Sequence, residues 1–173
     1  EIISAVKNDH KIRMVGTGHS WSGICATNEA LLNLDYYNKI THIDKERKLV
    51  TVQAGIKLWQ LNILLDKEGL ALLNLGSIDQ QSIAGAISTG THGSGIQFQI
   101  LGSQMREFSL IKADGSKQII NKEKDTDLFN ASVVNLGCLG VISEITLQVT
   151  DAFTLHDYTT TLSFDEVVEH LDD

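Results

Sequence analysis

"VGTGHSWSG", residues 15–23, follows the first apolar, strand-like run of the chain, "KIRMVG", and its reading decides the fold. Gly16 and Gly18 let the backbone come close to whatever this turn holds. A dinucleotide-binding turn of the G-x-G-x-x-G kind needs a third glycine where strand and helix close on each other. Trp21 stands there instead, after His19 and Ser20. Asp35 lies near the place of a ribose-binding carboxylate, but "SWSGICATNE" carries no crossover-helix pattern on the way to it. The doubly wound nucleotide fold is therefore a poor fit.

A second stretch, "GSIDQQSIAGAISTGTHGSG" at 76–95, repeats the chemistry of the first. It has glycines at 76, 85, 90, 93 and 95, with hydroxyls at Ser77, Ser82, Ser88, Thr89 and Thr91. Small residues bring main-chain N–H groups near anionic oxygens, and hydroxyls add donors. Two such loops suit something longer than one phosphate, such as a pyrophosphate with rings attached. No lysine follows either loop as a P-loop requires, and "GHSWSG" lacks the G-x-S-x-G spacing of a nucleophile elbow. Neither loop has zinc-ligand spacing, so no metal is expected. His19 and His92 sit inside the loops; His10, His42, His156 and His170 sit on ordinary segments and read as structural or surface residues. Orienting the turn is the more natural role for His92 than for His19.

Working outward, Ile2, Ile3, Val6 and His10 fit one face of a short opening helix. "KIRMVG", "ALLNLD" (30–35), "KITHID" (39–44) and "KLVTVQAG" (48–55) read as strands. "KLWQLNILLDKEGL" carries Leu58, Trp59, Leu61, Leu64 and Leu65 at helical spacing, with Trp59 read as core and Gly69 as the stop. "MREFSLIKADGSKQII" is a hairpin turning at Asp114-Gly115. "DTDLFNASVVNLG" is a short helix capped by Asp125 or Thr126, and "LGVISEITLQVT" a long strand. After Asp151 the pattern changes, and Ser163 caps a new amphipathic helix in "SFDEVVEHLDD".

The 173 residues carry 14 Lys and Arg against 22 Asp and Glu, a net charge of -8, which speaks against a surface that tracks nucleic-acid phosphates. No apolar run reaches the length of a membrane span. Cys25 and Cys138 are far apart, without metal or redox spacing, and read as reduced core or near-core thiols of a cytoplasmic protein.

The two loops, with "NLGCLGVISEITLQV" after them, resemble three signatures of the flavoproteins with a vanillyl-alcohol-oxidase (PCMH-type) FAD domain, closest to the sugar-lactone and alditol oxidases. The resemblance runs from the start to about residue 150. It implies an α+β fold: an FAD domain of two small α/β subdomains with mixed and antiparallel sheets over 1–150. Residues 151–173 would begin a C-terminal cap domain that supplies the catalytic side chains, so none is assigned here.

By the same resemblance Val15, Gly16, Thr17, Gly18, His19 and Ser20 cradle the pyrophosphate of FAD. Ser82, Gly85, Thr89, Gly90, Thr91 and His92 match flavin-contacting positions, and Ser77 a serine near both flavin and substrate. Gly137, Val141 and Ile142 belong to the segment at the adenosine end. His19 matches the histidine bonded to the 8α-methyl of the isoalloxazine in covalent members. Trp21 stands where many lactone oxidases have proline, and aromatic residues occur there in the alditol branch.

The activity implied is oxidation of a CH–OH group of a polyol or sugar lactone by hydride transfer to flavin N5, with dioxygen the acceptor and hydrogen peroxide the product. Two alternatives stand beside it: a dehydrogenase serving another acceptor, and a non-catalytic nucleotide-binding module.

Overall fold

The computed structural model describes residues 3–4 and 11–170. Most of the expected opening helix lies outside that range; Ile3 and Ser4 are helical. Strand β1 (Ile12–Val15) pairs in parallel with β2 (Ala30–Asn33), from Ile12 opposite Ala30 to Val15 opposite Asn33. The link between them holds only a 3-10 turn at Gly23–Cys25, so the pair forms without a crossover helix.

The main sheet is antiparallel. Strands β3 (Ile40–Asp44), β4 (Leu49–Gln53), β6 (Met105–Ile111), β7 (Lys117–Asn121) and β8 (Val141–Gln148) lie in the order β3-β4-β8-β6-β7. Alternation sets its faces. On β4, Val50 and Val52 are fully buried, while Thr51 turns out and pairs with Thr146 of β8 through hydroxyls 2.9 Å apart. The β6–β7 hairpin closes with Gly115 N–H on the Lys112 carbonyl; Gly115 takes φ 78°, and Asp114 Oδ1 accepts from Ser116 N–H and Oγ–H. A further pair, β5 (Leu70–Ala71) with β9 (Thr150–Asp151), is antiparallel. The α+β fold class with antiparallel sheets therefore holds; no described sheet mixes strand directions, because the one parallel pair, β1–β2, stands apart from the antiparallel sheets.

Helix α1 (Leu58–Lys67) lays Leu58, Leu61 and Leu65 on the buried face of the sheet and stops at Gly69, φ 71°. Trp59 departs from expectation: it is 39% exposed. One residue beyond Leu58 turns it about 100° around the helix, off the face that the three leucines own. A second helix, α2 (Ile83–Ser88), rises inside the serine- and glycine-rich stretch and buries Ile83, Ala86 and Ile87. Helix α3 (Thr126–Ser132) drives Phe129 against Phe108 of β6, with ring centroids 5.9 Å apart.

Residues 152–163 carry no regular structure and are exposed, as is α4 (Phe164–Glu169), which Ser163 caps by accepting from Glu166 N–H. Nor are the thiols core residues: Cys25 is half-buried and Cys138 exposed, because each sits in a loop outside the sheet.

Candidate functional site

Three loops and one turn meet in a single cleft. The first loop leaves β1 at Val15, in the parallel pair. Gly18 reverses it at φ 78° with open space where a side chain would stand. Thr17 is half-buried, and Gly18, His19 and Ser20 are exposed in the cleft wall.

The second loop is fastened to the end of β4 and the start of α1 by backbone bonds. Leu58 and Trp59 N–H, which a helix start leaves without partners, donate to the Gln81 and Asp79 carbonyls at 2.9 Å each. Ile83 N–H donates to Ile56 and Ala84 N–H to Ala54, at 2.9 and 3.2 Å. These bonds set Ser82 and Gly85 against the first loop: a Cβ on Gly16 would lie 2.5 Å from Ser82 Oγ, and one on Gly85 3.1 Å from it. Ser82 stands at the start of α2 yet makes no side-chain cap hydrogen bond, which leaves its hydroxyl to the cleft.

The third loop runs from Asn135 to Gly140, ahead of β8. Buried Asn135 holds it, donating from Nδ2 to the Ser132 carbonyl and accepting Gly137 N–H on Oδ1. Gly140 presses on β6 so closely that a Cβ there would come 2.4 Å from the Ile111 carbonyl oxygen. The turn at Leu34–Asp35 supplies the remaining wall. Gly55 lies so tightly against it that a Cβ would meet the Leu34 carbonyl oxygen at 1.9 Å.

The cleft holds about 1070 Å³ of empty space, counted out to open solvent. Of the residues singled out in the sequence, Val15, Gly16, Thr17, Gly18, His19, Ser20, Ser82, Gly85, Ser88, Thr89, Gly137 and Ile142 line it. Ser77, Gly90, Thr91, His92 and Val141 do not. Ser77 is exposed, and Val141 faces the core. Thr91 Oγ1 accepts from Gln81 Nε2 at 3.1 Å, one step behind the wall. His92 turns onto its own loop, with Nδ1 2.8 Å from the Gly93 carbonyl oxygen.

Gln81, Asp35, Asn135 and Leu136 line the cleft without having been read as part of it. Gln81 and Leu136 each stand beside a loop serine or glycine, Ser82 and Gly137, whereas Asp35 and Asn135 carry no such signal.

No lysine or arginine lines the cleft. Its one carboxylate, Asp35, is neutralised from behind by Lys57 Nζ. That hydrogen bond, opposed by slight desolvation, holds the Asp35 carboxyl below its ordinary range. An anion here meets amides, hydroxyls and His19. Among the described residues no group of three or more His, Cys, Asp and Glu could hold a metal, and no helix is long and apolar enough to cross a membrane.

Residues 1–120 match the model of a family described as FAD binding domain. The chain is 48% identical over 145 residues to a putative D-arabinono-1,4-lactone oxidase of Neurospora crassa, covering 84% of this chain and 26% of that protein. It is 40% identical over 168 residues to L-gulonolactone oxidase of Mus musculus, covering 97% and 38%. To an L-gulono-1,4-lactone dehydrogenase of Mycobacterium tuberculosis it is 37% identical over 172 residues, covering 99% and 40%. The chain thus spans well under half the length of these relatives. Among solved structures, an alkyldihydroxyacetonephosphate synthase shares the fold at TM-score 0.77 and 18% identity, over 87% of this chain and 29% of the other.

Proposed function

The chain belongs to the family of FAD binding domains, and on that footing we propose that the whole protein is an FAD-dependent oxidoreductase that oxidises a CH–OH group of a sugar lactone. The residues of the cleft fit the cofactor. Gly16 leaves no room for a side chain against Ser82, so the approach is reserved for backbone. Gln81 Oε1 is the one buried side-chain oxygen or nitrogen among the described residues without a hydrogen-bond partner, and Gln81 lines this cleft. A neutral, donor-rich wall suits a pyrophosphate that a backbone cradle, not cations, must hold.

Bound here, FAD supplies a two-electron acceptor. The chain's part would be to hold it: Val15, Gly16, Thr17, Gly18 and Ser20 would meet the pyrophosphate, Ser82, Gly85 and Thr89 the flavin, and Gly137 and Ile142 the adenosine. His19 is the proposed covalent attachment point. Joining its imidazole nitrogen to the 8α carbon removes one N–H and one C–H hydrogen, and dioxygen takes up both with their electrons as hydrogen peroxide.

Residues 1–150 act as the cofactor domain, and 151–173 lead into a substrate-binding part. The similarity to lactone oxidases supports a lactone over an alditol as substrate. The two free thiols suit a reducing compartment, which supports a cytoplasmic location.

The observation that carries this reading is the convergence of the glycine loop, the start of α2 and the Asn135–Gly140 loop on one cleft. Full-length protein, purified yellow, should consume L-gulonolactone or D-arabinonolactone with release of hydrogen peroxide. Bound flavin without turnover on either lactone would sink the substrate assignment. Because one relative is named a dehydrogenase, a second reading keeps the lactone and changes the acceptor. Slow reoxidation in air after anaerobic reduction, with fast reduction of an artificial dye, would establish it.

A further inference from the structure

Strands β1 and β2 run parallel with Val15 opposite Asn33, so the first glycine loop and the Leu34–Asp35 turn leave the same end of the pair. Thr17 and Asp35 each stand two residues past that last pairing, and neighbouring strands lie about 4.8 Å apart. The carboxyl ends of adjacent parallel strands are where open sheets take their ligands. Both residues line the cleft.

Asp35 is firmly placed. Its N–H donates to Asn33 Oδ1, its carbonyl accepts from Asn38 Nδ2 at 2.8 Å, and Tyr37 N–H closes the turn on the Leu34 carbonyl at 2.7 Å. Lys57 Nζ donates to carboxylate Oδ1. The lysine is largely buried and does not line the cleft, whereas Asp35 lines it with half its side chain exposed. A lone carboxylate beside a pyrophosphate would repel it. Paired with Lys57, Asp35 adds no net charge and keeps capacity to accept, because a carboxylate takes donors on both oxygens. An ionised pyrophosphate has no hydrogen to give, so this acceptor serves another part of the ligand.

FAD joins its pyrophosphate on either side to a chain of sugar hydroxyls, the ribose of the adenosine half and the ribityl of the flavin half. A carboxylate one strand away from the glycine loop meets one of these chains whichever way the cofactor lies. From this placement, and resting on the FAD reading above, we infer that the Asp35 carboxylate accepts a hydrogen bond from a hydroxyl of a sugar chain flanking the pyrophosphate, with Lys57 as the positioning residue behind it.

The test uses full-length protein carrying His19→Ala, so that flavin can be removed, and calorimetric titration with FAD, ADP, FMN and inorganic pyrophosphate. Asp35→Ala should weaken FAD about tenfold, the size of one charge-assisted hydrogen bond. One of the half-ligands should weaken by the same factor: ADP if the ribose is the donor, FMN if the ribityl chain is. Pyrophosphate, which carries no hydroxyl chain, should bind as well or better, since Lys57 then stands unbalanced. Asp35→Asn keeps the shape and one acceptor oxygen and should lose about threefold, which carries the test if the alanine variant does not fold. Unchanged affinity for both ADP and FMN, or a loss that pyrophosphate shares, overturns the inference while FAD binding by the parent stands. A parent that binds no FAD overturns the reading beneath it as well.

Discussion

The Ser82 hydroxyl stands 2.5 Å from where a side chain at Gly16 would begin. That contact joins the first glycine loop to the start of α2, so the two halves of the cleft are spaced by the absence of one methyl group. Gly16→Ala should force the Ser82 Oγ aside, cost about 1–2 kcal/mol by overpacking, and sharply reduce retained FAD. In Gly16→Ala with Ser82→Ala, the nearest neighbour of the new methyl is the residue 82 Cβ at 3.7 Å, an ordinary contact. Stability should then return while FAD retention does not, because the added methyl still lines the approach and the hydroxyl is gone. Urea denaturation and the flavin content of purified protein measure both. A double variant with full flavin would show that this seam does not shape the site.

Gly55 is tighter still, and here the neighbours are backbone. A Cβ would lie 1.9 Å from the Leu34 carbonyl oxygen and 2.8 Å from that of Tyr37, with Gly55 N–H bonded to the latter. Neither carbonyl can rotate away alone. Gly55→Ala should expel the 34–37 turn from the cleft wall and cost about 3 kcal/mol, read as a lower denaturation midpoint. Gly18→Ala, where nothing lies within 4 Å, should cost only the positive φ, about 1 kcal/mol. Equal losses in the two variants would contradict this ranking.

The difference between these two glycines marks what can be read from a sequence. Period and punctuation are local, so the alternation of β4, the leucines of α1, the Asp114-Gly115 hairpin and both glycine loops were legible. Helix α2 was not, because "SIAGAISTG" is short, small and interrupted by Gly85, with no long apolar stripe to betray it. The wall at Leu34–Asp35 and Gly55 was also hidden. Close approach of two backbones 21 residues apart, at Leu34 and Gly55, leaves only a glycine as its trace, indistinguishable in sequence from the glycine of a free turn. Trp59 misled for a similar reason: helical spacing names a stripe, and only the packed sheet decides where its edge falls.

Asp35 is the carboxylate of the cleft wall and Lys57 pairs with it from behind, with the lysine largely buried and the carboxylate half-exposed. The hydrogen bond from Lys57 lowers the Asp35 carboxyl against a small desolvation penalty. A group whose folded value is depressed stabilises fully above its unfolded value and loses that contribution as pH falls through the folded one. Asp35→Asn should therefore cost under about 1 kcal/mol at neutral pH, after solvent screening. The deficit should close in acid, below the ordinary carboxylate range. Asp44, Asp114 and Glu166 are depressed too, so the test is the difference between wild type and variant across pH. A deficit that stays constant into acid would assign the cost to packing.

Three nucleophilic side chains deserve comparison for covalent attachment of the cofactor: His19, His92 and Cys25. His19 lies exposed in the cleft wall, beside Gly18 and the open space around it. The His92 ring is occupied by its own loop and lies outside the cleft lining. Cys25 lines the cleft but is half-buried at the end of the 3-10 turn. Acid-precipitated and washed full-length protein should keep its yellow colour, and so should His92→Ala and Cys25→Ala. His19→Ala should release all of it into the supernatant while still binding FAD in the native state, because the cradle is backbone and hydroxyl. A colourless wild-type pellet would reduce His19 to a wall residue. Colour lost from Cys25→Ala and kept in His19→Ala would move the bond to sulfur.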